Sequence, residues 1–290
     1  MFDGPADAEG QGLFRRHCVR CHGISGDGAG GEAAALDPYP RDYRRGVFKY
    51  TSTFAGAKPV REDLRRTIFR GVPGTAMPSF DDLADNEIDA LVEYVRYLAI
   101  RGEVELYLFQ LVVDEDEYLP LDMRYVEEEG LVPVAELWKM AEEMVVVPPP
   151  EPPVDTPERL AASIARGKEL YASKNAQCVQ CHGPEGNGEG EEEDLYDDWN
   201  KPKKGVTPER TRELAALYRL PLQELNPRNF REGIFQGGDR PIDLYWRIHV
   251  GIKGTPMPAA GPIPGAAGVY TPEEVWDVVH YIQSFSAKKP

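Results

Sequence analysis

Four cysteines occur in the chain, and they fall into two identical five-residue patterns. These are Cys18-Val19-Arg20-Cys21-His22 and Cys178-Val179-Gln180-Cys181-His182. Two cysteines three positions apart on a helical turn share one face, roughly 5–6 Å from each other. From there both thiols can form thioether bonds to the vinyl groups of one haem, and the adjacent histidine can reach the iron from the same side. C-x-x-C-H is the spacing of covalent c-type haem attachment. Other chemistries also use such pairs. A disulfide within each motif is one, and a zinc site drawn from the Cys-x-x-Cys pairs and histidines is another. A thioredoxin-like redox pair is a third, but it needs a βαβ context of which the sequence gives no sign.

Each motif sits inside a longer repeat, offset by about 160 residues at the haem motif. Gly10-x-x-Leu13-Phe14 precedes the first motif and Gly167-x-x-Leu170-Tyr171 the second. Downstream, Gly26-Asp27-Gly28 matches Gly186-Asn187-Gly188, and Pro40-Arg41-Asp42-Tyr43 matches Pro227-Arg228-Asn229-Phe230. Gly46-Val47-Phe48 then matches Gly233-Ile234-Phe235, and Asp63-Leu64 matches Asp243-Leu244. The most informative match is Gly74-Thr75-Ala76-Met77-Pro78 with Gly254-Thr255-Pro256-Met257-Pro258.

That last pair bears on the second axial position of an iron. Thioether sulfur is neutral and soft, so methionine favours ferrous iron and raises the reduction potential. A lone methionine is more often core packing. Here Met77 and Met257 share one frame, stiffened by a following proline and turned by a preceding glycine, downstream of each haem motif. Among the other histidines, His17 is expected at the surface and His280 on the polar face of a final helix. His249, eight residues before Met257, is a possible competitor for the second iron, although a haem-edge or surface position explains it. Arg41 and Arg228 suit haem propionates or structural salt bridges equally.

The elements that must position these residues read as helices. Each copy ends in an amphipathic helix, roughly 86–99 and 273–285, the second capped by Thr271 with Pro272 at its first position. Tyr94 and Tyr281 match on these helices and are expected to pack. Between the copies, residues 145–153 read VVVPPPEPP, a stiff extended linker. Residues 101–144 form an acidic arm with no counterpart, helical near 136–144. Its apolar stretch from Leu106 to Val113 is too short to span a bilayer and is expected to be buried. The second copy carries an insert, 191–225, opening on a solvated acidic run (Glu191 to Asp194) and containing a short helix near 208–220.

With 290 residues, two domains are expected, and 41% hydrophobic content fits a soluble protein. A net charge of −16 disfavours nucleic acid and anionic membranes and favours a basic protein partner. Residues Met1 to Gly12 lack the charged start and apolar core of a leader, so a leader or anchor is expected to have been removed.

Each repeat resembles the class I cytochrome c domain, over residues 8–99 and 160–286. The resemblance implies an all-α fold of two tandem cytochrome c-like helical domains. They are domain 1 at 1–100, an arm and proline-rich linker at 101–155, and domain 2 at 156–290. It also implies two covalently bound haem c groups, held by Cys18, Cys21, Cys178 and Cys181. Iron would be ligated by His22 and Met77 in the first copy and by His182 and Met257 in the second. The function expected is electron transfer between redox partners, in a respiratory chain or as a subunit of a redox complex. The implied location is the periplasm or outer face of an energy-transducing membrane. Two other readings are weighed: a di-haem peroxidase, which needs an iron with an open position, and a docking subunit whose haems are incidental.

Overall fold

A computed structural model of the chain describes residues 4–115, 122–193, 195–198, 205–207, 209–210, 213 and 220–286. Among these, helices alternate with turns, and the only sheet-like pairings are isolated bridges. The helices are α1 (Gly4–His17), α2 (Val19–His22), α3 (Arg61–Arg70), α4 (Asp85–Glu115), α5 (Met123–Tyr125) and α6 (Val132–Lys139). The second copy follows with α7 (Pro157–Tyr171), α8 (Cys178–His182), α9 (Pro241–Val250) and α10 (Pro272–Ser286).

The same helix crossing organises both copies: α1 lies on α4, and α7 lies on α10. The glycine of each Gly-x-x-Leu-aromatic motif sits at the crossing. A Cβ at Gly10 would lie 2.3 Å from the Ala90 carbonyl oxygen, and one at Gly167 2.0 Å from that of Asp277. Only glycine lets the backbones approach so closely. One turn later Phe14 and Tyr171 are buried and meet Tyr94 at 5.2 Å and Tyr281 at 5.4 Å between ring centroids. The two matched tyrosines thus pack as expected. Each crossing anchors its own core, one around Leu91, Val95 and Leu64, the other around Val275, Val279 and Leu244.

Helix starts follow the sequence signals. Thr271 Oγ1 accepts from the Glu274 amide at 3.2 Å, while Glu274 Oε2 accepts from the Thr271 amide at 2.7 Å, a reciprocal capping box. The end of α4 differs from expectation. It runs on through the arm to Glu115, so Leu106, Phe109 and Val113 are helical but exposed rather than buried. The arm returns through α5, a π-turn at Val126–Leu131 and α6, and its buried Trp138 docks into the first core. Trp138 Nε1 donates to Glu103 Oε1 at 2.8 Å, and the indole meets Phe48 edge-on.

The proline-rich linker is extended, as expected, but it is tied down rather than free. The Phe54 amide donates to the Met144 carbonyl at 3.0 Å and the Val146 amide to the Ser52 carbonyl at 2.8 Å. From the second copy, Trp246 Nε1 donates to Val146 O at 3.1 Å and Trp276 Nε1 to Pro149 O at 3.0 Å. A strap with few backbone donors of its own is thereby held by indoles reaching out to its carbonyls. The insert is also less detached than its acidic opening implies. Glu191, Glu192 and Glu193 are exposed, yet Gln223 accepts from the Tyr39 amide and donates to Leu36 O, both at 2.9 Å. Most of the helix expected near 208–220 lies outside the described residues.

The two copies meet through α3 and α9. Arg70 Nη1 lies 3.3 Å from Asp243 Oδ2, and the Arg66 guanidinium sits 4.9 Å over the Trp246 ring. Lys253 Nζ donates across the seam to Thr53 Oγ1 at 2.7 Å and Ala57 O at 2.8 Å.

Candidate haem-binding sites

Cys18, Cys21, His22 and Met77 line one cavity in the first copy, together with Arg41, Tyr43, Leu64, Ile68 and Phe80. The walls are mostly apolar, with a guanidinium at one side, which suits a flat hydrophobic ring that carries acidic substituents. The residue set therefore fits a covalently held haem. None of the four cysteines is in a disulfide, and among the described residues no cluster of three or more His, Cys, Asp or Glu is placed to hold a metal ion. Burial pushes the Cys18 thiol up to about 12 and raises Cys21, Cys178 and Cys181 as well.

The motif histidine is held identically in both copies. His22 Nδ1 lies 3.2 Å from Arg41 O, and His182 Nδ1 lies 3.3 Å from Arg228 O. A carbonyl only accepts, so Nδ1 carries the proton and Nε2 is left with its lone pair, the form an iron needs. An aromatic ring stacks on each imidazole: Tyr43 at 4.7 Å on His22 and Phe230 at 4.6 Å on His182. Burial lowers His22 to about 4 and shifts His182 in the same direction. Both are then neutral at pH 7, as ligation requires.

These holding residues come from the matched Pro-Arg segments, whose carbonyl role side-chain chemistry does not reveal. Asp42 Oδ1 accepts from the Arg44 amide and Asn229 Oδ1 from the Arg231 amide, both at 3.0 Å. Each cap starts a short 3₁₀ turn that closes on a left-handed glycine, Gly46 or Gly233. The equivalence of Asp and Asn in the two copies was the visible signal, because both can cap such a turn.

The methionine loops also share one frame. Val72 N donates to Met77 O at 3.1 Å and Ile252 N to Met257 O at 3.2 Å. Inside each loop the threonine hydroxyl donates back to the carbonyl three residues earlier, Val72 O at 2.8 Å or Ile252 O at 2.7 Å. The same oxygen accepts from the methionine amide, at 3.1 Å for Met77 and 3.3 Å for Met257. This explains the threonine in Gly-Thr-x-Met-Pro: it orients the methionine backbone.

The remaining histidines lie elsewhere than expected. His17 is half-buried, edges onto Phe80 and lines the first cavity instead of facing solvent. His249 is buried in the second copy, with Nδ1 3.3 Å from Tyr245 Oη and Nε2 3.0 Å from Pro262 O, so both nitrogens are engaged away from Met257. His280 is buried too, bridging Ser163 Oγ at 2.7 Å and Glu151 at 3.1 Å on the linker strap. Burial of these polar rings is stabilising only because their nitrogens find partners.

Paired crossing helices, a locked motif histidine and a threonine-braced methionine loop, present twice, define a tandem of c-type haem domains. The comparisons with known proteins agree. Residues 5–95 match the family model described as cytochrome c oxidase, cbb3-type, subunit III, and residues 164–286 match the cytochrome c model. The chain is thus built of two cytochrome c-type domains in tandem, which imply two covalently bound haem c groups and electron transfer. Its structure is similar to a chain of the reducing HAO-like protein complex of Kuenenia stuttgartiensis, with a TM-score of 0.64 and 25% identity over 96% of this chain and 95% of that one. No curated protein sequence matches the chain.

Proposed function

We propose that the protein is a di-haem electron carrier that works within or beside a complex of redox proteins. The observation that carries this reading is the gathering of Cys18, Cys21, His22 and Met77 around one cavity, with His22 fixed in its ligating tautomer. In this reading Cys18 and Cys21 would hold the first haem, and His22 and Met77 would ligate its iron. Cys178 and Cys181 would hold the second, with His182 and Met257. The haem supplies a one-electron ferric–ferrous couple. The chain contributes the rest: the Arg41 and Arg228 carbonyls hold the imidazoles, the loop threonines hold the sulfurs, and apolar walls exclude water. Residues held this firmly would keep their positions whichever charge the group carries, so little in the chain would need to rearrange.

The acidic surface, with net charge −16, suits a partner with a basic docking face. The likeness to a chain of a redox complex supports membership in such an assembly, in a respiratory chain or alongside one. Covalent haem attachment points to the periplasm or the outer face of an energy-transducing membrane. Among the described residues no helix is long and apolar enough to cross a membrane.

Optical spectra of the holoprotein, oxidised and reduced, with a haem count per chain and carbon monoxide addition, test the reading. Two low-spin haems inert to carbon monoxide, with the weak far-red methionine–ferric band, are expected. A haem that binds carbon monoxide would instead mean an open iron and a catalytic role.

A further inference from the structure

The Pro-Arg segments do more than hold their own histidines. Arg41 O receives His22 Nδ1, while the Arg41 side chain leaves its own half: Nη2 donates to Lys253 O at 2.9 Å. Lys253 opens the loop that carries Met257. A Cβ placed on Gly254 would lie 3.1 Å from both terminal nitrogens of Arg41 and 3.2 Å from Val47, so the guanidinium is pressed flat against this loop. The Gly254 carbonyl is held from a further side by the Asp198 amide at 3.0 Å.

The second copy reaches back at the matched place, but through van der Waals contact rather than a hydrogen bond. Arg228 O receives His182 Nδ1, and a Cβ placed on Gly74, in the Met77 loop, would meet Ile234 at 2.9 Å and Arg228 Nη1 at 3.7 Å. Val47 and Ile234 are matched residues, as are Arg41 and Arg228. The contact is therefore reciprocal, an approximate two-fold exchange in which each half supplies an arginine and an aliphatic side chain to the other half's methionine loop. It also accounts for the loop glycines: both have φ of 74°, and neither loop has room for a side chain toward the other half.

We propose that Arg41 and Arg228 are reciprocal positioning residues, each tying the motif histidine of its own half to the methionine loop of the other. The seam is then part of each ligand set, and neither methionine loop is braced by its own half alone. Arg41 suits this part because its planar fork spans a carbonyl and a glycine face at once, which a lysine cannot do. Its carbonyl and its guanidinium are separated by one side chain, so a displacement of either histidine or loop is felt at the other.

The inference rests on the ligand assignment proposed above, and the test separates the two. Exogenous imidazole displaces a methionine from ferric haem, and its affinity reports how firmly the loop is held. The wild-type holoprotein is titrated first, with the two haems told apart by their hyperfine-shifted methyl resonances, assigned through Met77→His and Met257→His. If the wild type shows no methionine ligation, the ligand assignment fails, irrespective of any arginine. Given methionine ligation, Arg41→Gln is expected to raise imidazole affinity roughly tenfold at the second haem, the equivalent of one lost hydrogen bond to a charged group. The first haem should change by less than twofold. Arg228→Gln should raise imidazole affinity at the first haem rather than the second, by less than tenfold, since Arg228 touches the Met77 loop without a hydrogen bond. Changes confined to the variant's own half, or equal at both haems, would overturn the proposal. If a glutamine variant does not yield folded holoprotein, Arg41→Lys and Arg228→Lys, which keep the charge but lose the fork, are read by the same criterion.

Discussion

At the scale of single residues, the two haem sites are governed by a few short hydrogen bonds around otherwise ordinary side chains. Thr75 illustrates the point. Its hydroxyl donates to Val72 O and accepts from the Met77 amide, so one oxygen sets the direction of the loop that presents the sulfur. Thr75→Val keeps the shape and removes both bonds, at a cost of about 1 kcal/mol each. The far-red methionine band of the first haem should then disappear at a lower temperature, while that of the second persists; equal melting of both bands would refute the role. If Met77 ligates the first iron as proposed, Met77→Ala should lower the midpoint potential of that haem and open it to carbon monoxide, since the soft ligand that favours ferrous iron would be gone. Spectroelectrochemistry on the variant checks the direction.

At the scale of elements, α3 and α9 contribute an ion-pair cluster to the seam where the copies meet. Asp243 is buried at the start of α9 with Arg240 at 2.7 Å, Arg70 at 3.3 Å and Arg66 at 4.0 Å, the last two from α3. Burial alone would raise its carboxyl, but the Arg240 hydrogen bond and the surrounding guanidinium charges outweigh that and hold it below the ordinary range. A carboxylate with a depressed folded value binds fewer protons in the native state than in the unfolded one. Its contribution is therefore present above the unfolded value, near pH 4, and is lost as pH falls through the folded value. Asp243→Asn should destabilise the protein by about 1–3 kcal/mol at neutral pH, because the charge-assisted bond from Arg240 is lost at a buried position, while Arg66 keeps its own partner in Asp63 at 2.7 Å. It should also flatten the acid limb of the stability profile. Denaturant melts of wild type and variant from pH 7 down to pH 3 would show whether the difference closes as predicted.

At the scale of the whole molecule, charge and exposure point outward. The net charge of −16 creates a field that would favour the basic partner proposed above, and such an attraction is screened over roughly 10 Å at 0.1 M salt. The bimolecular rate of electron exchange with a basic redox protein should fall about ten-fold or more as salt rises from low to physiological strength. A rate indifferent to salt would remove electrostatic steering from the account. The long helix of the arm adds an exposed apolar face, with Phe109 at 67% and Val113 at 56% exposure, while the return limb of the arm docks on the first core through Trp138 and Val134. Phe109→Asp should leave thermal stability within ~0.5 kcal/mol of wild type, since that ring is exposed among the described residues.

Much of this was legible in the sequence, for reasons rooted in local chemistry. Haem attachment needs two thiols and an imidazole within one helical turn, so Cys18, Cys21 and His22 announce it by spacing alone. The repeat marked the matched loops, and period and caps located the crossing helices, because backbone hydrogen bonding and side-chain periodicity act over a few residues. What the sequence could not decide involved groups far apart in the chain. The carbonyls of Arg41 and Arg228 leave no mark in side-chain chemistry. The exposure of Leu106 to Val113 depends on whether another element comes to cover it, and the strap at 145–153 is fixed by indoles a hundred or more residues away. His249 and His280 were free to be ligand, surface or core until their partners at Pro262 and Glu151 were placed. The sequence by itself determined the two haem motifs, their methionine loops and the helical class. The tertiary structure alone decided that the Met257 loop is bonded by an arginine of the other half, since a contact between Arg41 and Lys253 exists only once both halves have folded and met.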